Sequence, residues 1–222
     1  MAGETTPNAG RSERNTRYRR SLRAALNRRR FQRVMNLVEL TASDRILDLG
    51  SGRGRKSVAY YNRVNPIVGV DMLPPEMLDP VGDNFRYIRG DASDLAPFAD
   101  GSFDVVLSFG LLEHLTDDEV RRIAAETPRL ATRFAHVVPH PLAFLEPHTR
   151  MPLFGRWPAA LRSWYARVFA RGRPPEYWER LVWRSSAEWQ ELFGNQPLRI
   201  VNHWYGPLLM YQIIYGGRLQ KA

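Results

Sequence analysis

The chain has 222 residues, a net charge of +9, 44% hydrophobic residues and no cysteine. This length and hydrophobic content predict one α/β domain with a sizeable core, and the lack of cysteine excludes disulfides and thiolate metal sites. We expect no signal peptide, because the first residues contain no apolar run. The longest apolar run, near residues 208–215, is shorter than the ~18 residues that a transmembrane segment needs. The expected location is therefore the cytoplasm.

The positive charge is concentrated near the N-terminus. Residues 1–33 contain ten arginines and two glutamates, a balance of +8, whereas the rest of the chain has a balance of +1. We expect residues 1–10 to be disordered and residues 12–40 to be helical, with a kink or a junction of two helices at Arg28–Arg30. The region 1–40 is thus predicted to be a basic arm with a leading helix. Residues 11–30 could contact an acidic surface or cover the active site.

The pattern of residues 45–55 is the most informative part of the sequence, which reads Arg-Ile-Leu-Asp-Leu-Gly-Ser-Gly-Arg-Gly-Arg. Its apolar residues predict a short buried strand, and the three glycines that follow predict a sharp turn with positive φ angles. A helix is expected to begin near Arg55, so that its free N–H groups point into the turn. We interpret this segment as a cradle for a nucleotide-type ligand.

The spacing of the glycines indicates which ligand is bound. Both the dinucleotide fingerprint and the phosphate loop require glycine at position 55, which is arginine here. Asp48 stands two residues before the first glycine, where an acid repels a pyrophosphate but suits an ammonium group. This favours the amino-acid end of S-adenosylmethionine. A second predicted strand ends in Asp71, where an acid can accept hydrogen bonds from both ribose hydroxyls.

Three further motifs follow in the chain: Asp91-Ala92, a strand that starts near Phe103-Asp104, and Glu113-His114. With these motifs, residues 30–140 and the final hairpin resemble the class I S-adenosylmethionine-dependent methyltransferases, in the broad small-molecule subgroup. The resemblance implies a Rossmann-like α/β fold: a seven-stranded methyltransferase sheet with helices on both faces, a C-terminal antiparallel hairpin and a helical insertion before it.

The resemblance also implies S-adenosyl-L-methionine as the cofactor. The residues expected to bind it are Asp48, Gly50, Ser51, Gly52, Gly54, Asp71, Met72, Asp91, Ala92 and Ser108.

Alternating apolar and helical stretches predict a mainly parallel sheet. The strands are predicted near 45–50, 66–71, 85–89, 103–109 and 134–139, with a hairpin of strands at 198–205 and 209–215. A helix is predicted at 117–130, with Thr116 as its N-cap.

Residues 41–222 are predicted to form the methyltransferase domain, and residues 141–195 an insertion within it. The insertion contains five of the six tryptophans, and the resemblance implies that it forms a cap that binds the acceptor. The alternative is that its aromatic residues form the core of a small helical subdomain. The predicted acceptor contacts are Arg150, Trp157, Tyr165 and Trp178.

A hydroxyl acceptor requires a base, and histidine suits this role near neutral pH. His140, His148 and His114 are the candidates, because they follow the fourth and fifth strands, at whose carboxyl ends ligands bind. We expect His136 and His203 to be core residues. No metal is predicted: Glu113, His140 and Glu146 could converge, but their spacing does not require it.

The function predicted from these observations is O-methylation of a hydroxyl on a sugar, glycolipid or natural product. C-methylation of a quinone or lipid ring is an alternative, as is RNA methylation that uses the basic arm. The residues after the fourth strand, Ser108-Phe-Gly-Leu, do not resemble the Asn-Pro-Pro-Tyr motif of enzymes that methylate amino groups of bases. A binding protein that has lost catalysis is the non-enzyme alternative. We expect a small-molecule acceptor and no nucleic-acid partner.

Overall fold

The computed structural model describes residues 9–61, 65–149, 151–169 and 180–217. Their strands form one seven-stranded sheet with the order β3-β2-β1-β4-β5-β7-β6. All neighbouring strands are parallel except for the two pairs that involve β7, which are antiparallel. The strands are β1 (Ile46–Leu49), β2 (Ile67–Asp71), β3 (Phe85–Arg89), β4 (Val105–Phe109), β5 (Arg133–Pro139), β6 (Leu198–Tyr205) and β7 (Leu208–Gly217).

Five α-helices accompany the sheet in the described part of the chain. They are α1 (Ala9–Leu37), α2 (Arg55–Tyr60), α3 (Asp117–Leu130), α4 (Ala159–Phe169) and α5 (Ser186–Phe193). The predicted fold class and all seven predicted strands are confirmed, with ends shifted by up to two residues. None of the helices in the described ranges is long and apolar enough to span a bilayer.

Local sequence explains where α3 begins. The Thr116 hydroxyl accepts a hydrogen bond from the Glu119 N–H, and the Glu119 carboxylate accepts one from the Thr116 N–H, which forms a capping box. The predicted N-cap is therefore confirmed. Three acidic residues in the first turn also interact favourably with the helix dipole.

The leading helix differs from its prediction. α1 is one continuous helix from Ala9 to Leu37, so the kink expected at Arg28–Arg30 is wrong. Arginine is a good helix former, and a run of three such residues does not by itself interrupt the backbone. Phe31, Val34 and Val38 share one buried face at the C-terminal end of this helix.

The core has two layers, one on each face of the sheet. One layer joins the C-terminal end of α1 and residues near α2 to one face, and the other joins α3 and α5 to the opposite face. α5 contributes Trp189, Leu192 and Phe193 to this second layer. This part of the predicted cap 141–195 therefore belongs to the main core, because its apolar side chains pack on α3 and the sheet.

Candidate functional site

The turn after β1 has the conformation that its glycines predict. Gly50, Gly52 and Gly54 have φ angles of 70°, 58° and 78°, which disfavour other residues. A Cβ on Gly52 would meet no atom within 4 Å, so the space in front of this residue is open. A Cβ on Gly54 would come within 2.8 Å of Phe85, so this glycine makes room for packing rather than for a ligand.

Asp71 holds a fixed position at the end of β2. Its carboxylate accepts hydrogen bonds from the Gly52 N–H at 2.7 Å and from the Leu73 N–H at 3.1 Å. Each oxygen retains a lone pair for a further bond. The acid is thus tied to the glycine turn at the sheet edge, where it can accept bonds from ligand hydroxyls.

A cavity of about 460 Å³ opens beside this turn. Its lining includes the predicted residues Asp48, Gly50, Ser51 and Gly52, together with Phe31, Tyr61 and Phe109 among others. Burial raises the pKa of Tyr61 well above its usual value, and the negative charge of Asp48 adds to the rise. Asp48 thus places negative charge beside Tyr61, in a lining that also contains Arg53, Lys56 and Asp79.

The remaining predicted cofactor residues differ in their placement. Met72 is 66% exposed, Asp91 caps the backbone N–H of Ser93, and Ala92 is buried in the core. Ser108 is fully buried, and its hydroxyl lies 2.9 Å from Nδ1 of His136. The two residues are register partners on β4 and β5, so this hydroxyl faces a neighbouring strand rather than the cavity.

Three of the five histidines, His136, His140 and His203, are buried. Burial lowers the pKa of His136 to about 3 and that of His203 to about 4, which supports their interpretation as core residues. His140 accepts a hydrogen bond from the Leu142 N–H on Nδ1. The proton of neutral His140 therefore resides on Nε2, and neither nitrogen has a free lone pair.

Glu113 is the centre of a polar cluster that follows β4, the strand whose Phe109 lines the cavity. It lies in a 3₁₀ turn, Leu112–His114, after β4, and a Cβ on Gly110 would approach its Oε1 to 3.3 Å. Glu113 is 1% exposed, and neither carboxylate oxygen has a hydrogen-bond partner in the described structure. Burial raises the pKa of Glu113 to about 7, although the nearby charges of His148 and Arg30 act in the opposite direction.

His148 reaches this cluster from a different segment of the chain. Its Nδ1 lies 2.7 Å from Oε1 of Glu146, and its Nε2 lies 3.8 Å from Oε1 of Glu113. Glu146 is 1% exposed and also accepts the backbone N–H groups of His148 and Thr149. Two buried carboxylates thus flank one imidazole, and the His114 ring stands edge-on to it at 5.2 Å.

A buried arginine fixes the turn that carries Glu113. Arg184 donates to the carbonyls of Leu112 and Leu115 and to the carboxylate of Asp117. The Val182 N–H also donates to the Glu113 carbonyl at 2.8 Å. Val182 and Arg184 belong to the predicted insertion, so this insertion helps to fix the position of Glu113.

The C-terminal part of α1 lies next to the same region. Arg30 stacks on the Tyr211 ring at 4.4 Å and lies 5.8 Å from the centre of Phe109. The Tyr205 hydroxyl donates to the Leu26 carbonyl, which joins α1 to the β6–β7 hairpin. α1 is thus placed over the edge of the sheet where β4 and β7 carry their aromatic residues.

The predicted acceptor contacts are only partly described. Trp157 and Tyr165 pack around buried Phe154, with ring centres 5.1 Å and 5.4 Å from it. This matches the alternative prediction of a small aromatic core. The Tyr165 hydroxyl donates to the Thr149 carbonyl, next to His148. Arg150 and Trp178 lie outside the described residues.

Sequence reasoning did not identify Glu146 as the partner of His148, nor did it assign roles to Tyr61, Arg30 or Arg184. The short spacing in Glu146-Pro-His148 was a usable signal for the first of these. Glu113, His140 and Glu146 were named as residues that could converge, but no metal site was predicted. The side chains that the structure brings together to form a possible metal site are those of Glu113, His114 and His148, with ligand atoms within 4.8 Å of one another.

Comparisons with known proteins agree with this geometry. Residues 47–137 match a family model described as a methyltransferase domain. The 27-O-demethylrifamycin SV methyltransferase of Amycolatopsis mediterranei is 26% identical over 190 residues, covering 75% of this chain and 70% of that protein. An uncharacterized methyltransferase of Mycobacterium sp. (strain KMS) is 42% identical over 74 residues, but these cover 32% of this chain and 29% of that protein. The match therefore spans less than a third of the mycobacterial relative.

A solved structure resembles the chain over nearly its whole length. The geranyl diphosphate C-methyltransferase of Streptomyces coelicolor A3(2), in complex with Mg²⁺, geranyl diphosphate and S-adenosyl-L-homocysteine, has a TM-score of 0.63. The alignment covers 97% of this chain and 86% of that one at 15% identity. At this identity the similarity concerns the fold alone.

Proposed function

We propose that the chain is a class I S-adenosylmethionine-dependent methyltransferase and that it methylates a hydroxyl oxygen of a small molecule. In support, residues 47–137 match a methyltransferase domain. The proposed cofactor, S-adenosylmethionine, would supply a methyl group on a positively charged sulfur. What supports the choice of a hydroxyl is the buried cluster of Glu113, Glu146 and His148, which follows the strand whose Phe109 lines the cavity.

The residues at the cavity fit this cofactor. Asp71 is held where it can accept bonds from the ribose hydroxyls, and the open space at Gly52 allows the ligand to approach the backbone. Asp48, at the end of β1, provides negative charge for the ammonium group. We propose that these residues bind the cofactor and that Gly54 serves the packing of the turn.

The acceptor hydroxyl must lose its proton while its oxygen attacks the methyl carbon. We propose that this cluster ionises the hydroxyl, with His148 as its central group, because the imidazole lies between two buried carboxylates, those of Glu146 and Glu113. The carbon–oxygen bond forms as the carbon–sulfur bond breaks, and the sulfur becomes neutral. Much of the remaining rate enhancement comes from alignment of the two reactants.

The three predicted catalytic histidines therefore receive different roles in this proposal. His148 takes part in ionisation of the hydroxyl, and His114 shapes the same cluster. His140 does not act as the base, because Nδ1 accepts a backbone N–H.

The acceptor class is proposed as a sugar, glycolipid or natural product. In support, the name of the Amycolatopsis relative states methylation at an oxygen of a natural product. Among the predicted acceptor contacts, we propose that Tyr165, Arg150 and Trp178 contact the acceptor. Trp157 packs edge-on against the Tyr165 ring and holds it in place. We further propose that the protein is cytoplasmic and has no nucleic-acid partner. Residues 11–30 are proposed to act as a flap over the active site or to contact an acidic surface.

A matched acceptor screen tests the proposal. The protein is incubated with methyl-labelled S-adenosylmethionine and a panel of hydroxylated sugars, glycolipids and polyketides, each paired with its O-methyl ether. We expect labelling of a hydroxyl compound and none of its ether, and NMR of the product should show a new methoxy group. A new carbon–methyl bond would instead support the C-methyltransferase alternative. Labelling of RNA alone would contradict the proposal.

A further inference from the structure

We propose that Glu113, His114 and His148 bind a divalent transition-metal cation of the Zn²⁺ type. One ligand atom from each side chain lies within 4.8 Å of the others, so a single ion can contact all three after small side-chain adjustments. Nε2 of His148 and Oε1 of Glu113 are 3.8 Å apart. Two ligands of a tetrahedral zinc ion are roughly 3.4 Å apart, given bonds of about 2.0–2.1 Å.

The state of Glu113 is an independent indication of a cation. Its carboxylate is 1% exposed, and both oxygens lack a hydrogen-bond partner in the described residues. A buried carboxylate without such partners is costly, because folding removes its water without replacing it. The contact to His148 is too long for a hydrogen bond. A cation between the two groups would satisfy the carboxylate.

Glu146 fixes the orientation of the His148 ring and the position of its proton. Its Oε1 accepts the Nδ1 proton of His148 at 2.7 Å, and two backbone N–H groups keep the carboxylate in place. The other ring nitrogen, Nε2, lies 3.8 Å from Oε1 of Glu113. A carboxylate that bonds the distal nitrogen of a metal-binding histidine fixes the ring and raises its basicity. The cluster thus contains three candidate ligands and one supporting carboxylate.

The donor set also indicates which cation is bound. Two imidazole nitrogens and one carboxylate suit zinc and its neighbours, whereas Mg²⁺ and Ca²⁺ prefer oxygen ligands alone. Three protein ligands leave one position open. Resting on the proposed function, we assign this position to the acceptor hydroxyl. Its proton passes to water as the oxygen binds the cation, and the resulting alkoxide attacks the methyl carbon, so that ether and neutral thioether form.

Cation binding can be measured without acceptor or cofactor. The full chain is dialysed against EDTA and then titrated with Co²⁺ in the visible spectrum and with Zn²⁺ by calorimetry. We expect one equivalent to bind, with affinity reduced about a hundredfold or more in Glu113→Gln and His148→Ala and about 10- to 100-fold in Glu146→Gln. His140→Asn, which keeps an acceptor for the Leu142 N–H, is the matched control and should bind as the wild type does.

The outcomes separate this proposal from the proposed function. Affinity for S-adenosylhomocysteine and the melting temperature show that each variant is folded. Loss of the cation in folded Glu113→Gln and His148→Ala supports the site. No stoichiometric binding by the wild type, or equal binding by all variants, overturns it, even if the protein methylates a hydroxyl. Conversely, cation binding at the cluster together with methylation only of carbon would leave the site intact and refute the proposed function.

Discussion

Two halves of the same sheet edge differ in how they are built. The half proposed to bind the cofactor, here called the cofactor half, consists of the ends of β1 and β2 with the turn at residues 50–54. It offers backbone groups and two acids that are close in sequence. The half proposed to bind the acceptor, here called the acceptor half, consists of the ends of β4 and β5 with residues 145–149. It brings together Glu113 and His148 from segments about 35 residues apart, held by Glu146 and Arg184. One half is a local motif, whereas the other depends on the completed tertiary structure.

The largest effect is expected in the cofactor half, from Gly52→Val. The side chain would occupy the open space before the turn and would also strain a residue with φ of 58°. We expect no measurable binding of S-adenosylhomocysteine by calorimetry. Gly101→Val is the matched control, because Gly101 has φ of 63° and equally open surroundings in a distant turn. Equal affinity in the two variants would show that Gly52 does not face the cofactor.

The second prediction concerns the acceptor half. Once an acceptor is known, His148→Ala should lower kcat by roughly 10²–10⁴-fold, because the hydroxyl loses the group that ionises it. Affinity for S-adenosylhomocysteine should change little, since the two halves are built from separate segments. His140→Asn should lower kcat less than about tenfold. If steady-state kinetics show the reverse order for the two variants, His140 rather than His148 is the essential histidine.

A third, smaller effect is expected on the pH dependence of stability, from His136 in β5. Burial lowers the pKa of His136 to about 3, so between pH 6.5 and about 3 the unfolded chain binds a proton that the folded chain does not. Stability should therefore fall on acidification, by at most about 1.4 kcal/mol per pH unit from this residue. Denaturant unfolding at pH 7 and pH 5 measures this slope. His136→Asn, which retains an acceptor for Ser108, should have the smaller slope; an unchanged slope would contradict the assignment.

The smallest effect is expected from deletion of residues 1–16. The apolar contacts of α1 that the structure describes begin beyond this segment, at Phe31, Val34 and Val38. The shortened protein should keep its melting temperature within a few degrees and still methylate its small acceptor. Loss of specific RNA methylation on deletion, with a steep dependence of binding on salt, would identify the arm as a nucleic-acid anchor.

The same contrast explains which features were predictable from the sequence. Strand positions, the glycine turn and the Thr116 cap depend on neighbouring residues, and the structure agrees with each of them. Strand position alone did not show that the hydroxyl of Ser108 faces His136. The pairing of Glu113 with His148 depends on how residues 145–149 fold back over β4, which no local pattern encodes.

The position of β7 has a consequence for how the chain is made. β7 follows β6 in chain order, yet it lies inside the sheet, where it pairs with both β5 and β6. While the ribosome is still adding residues, β5 has an unpaired edge and β6 has no neighbour, a state that favours aggregation. Ile213 and Tyr215 of β7 also complete the layer that buries Phe31 of α1. The C-terminal end of α1 and β7 therefore complete this layer of the core only after β7 has been synthesised.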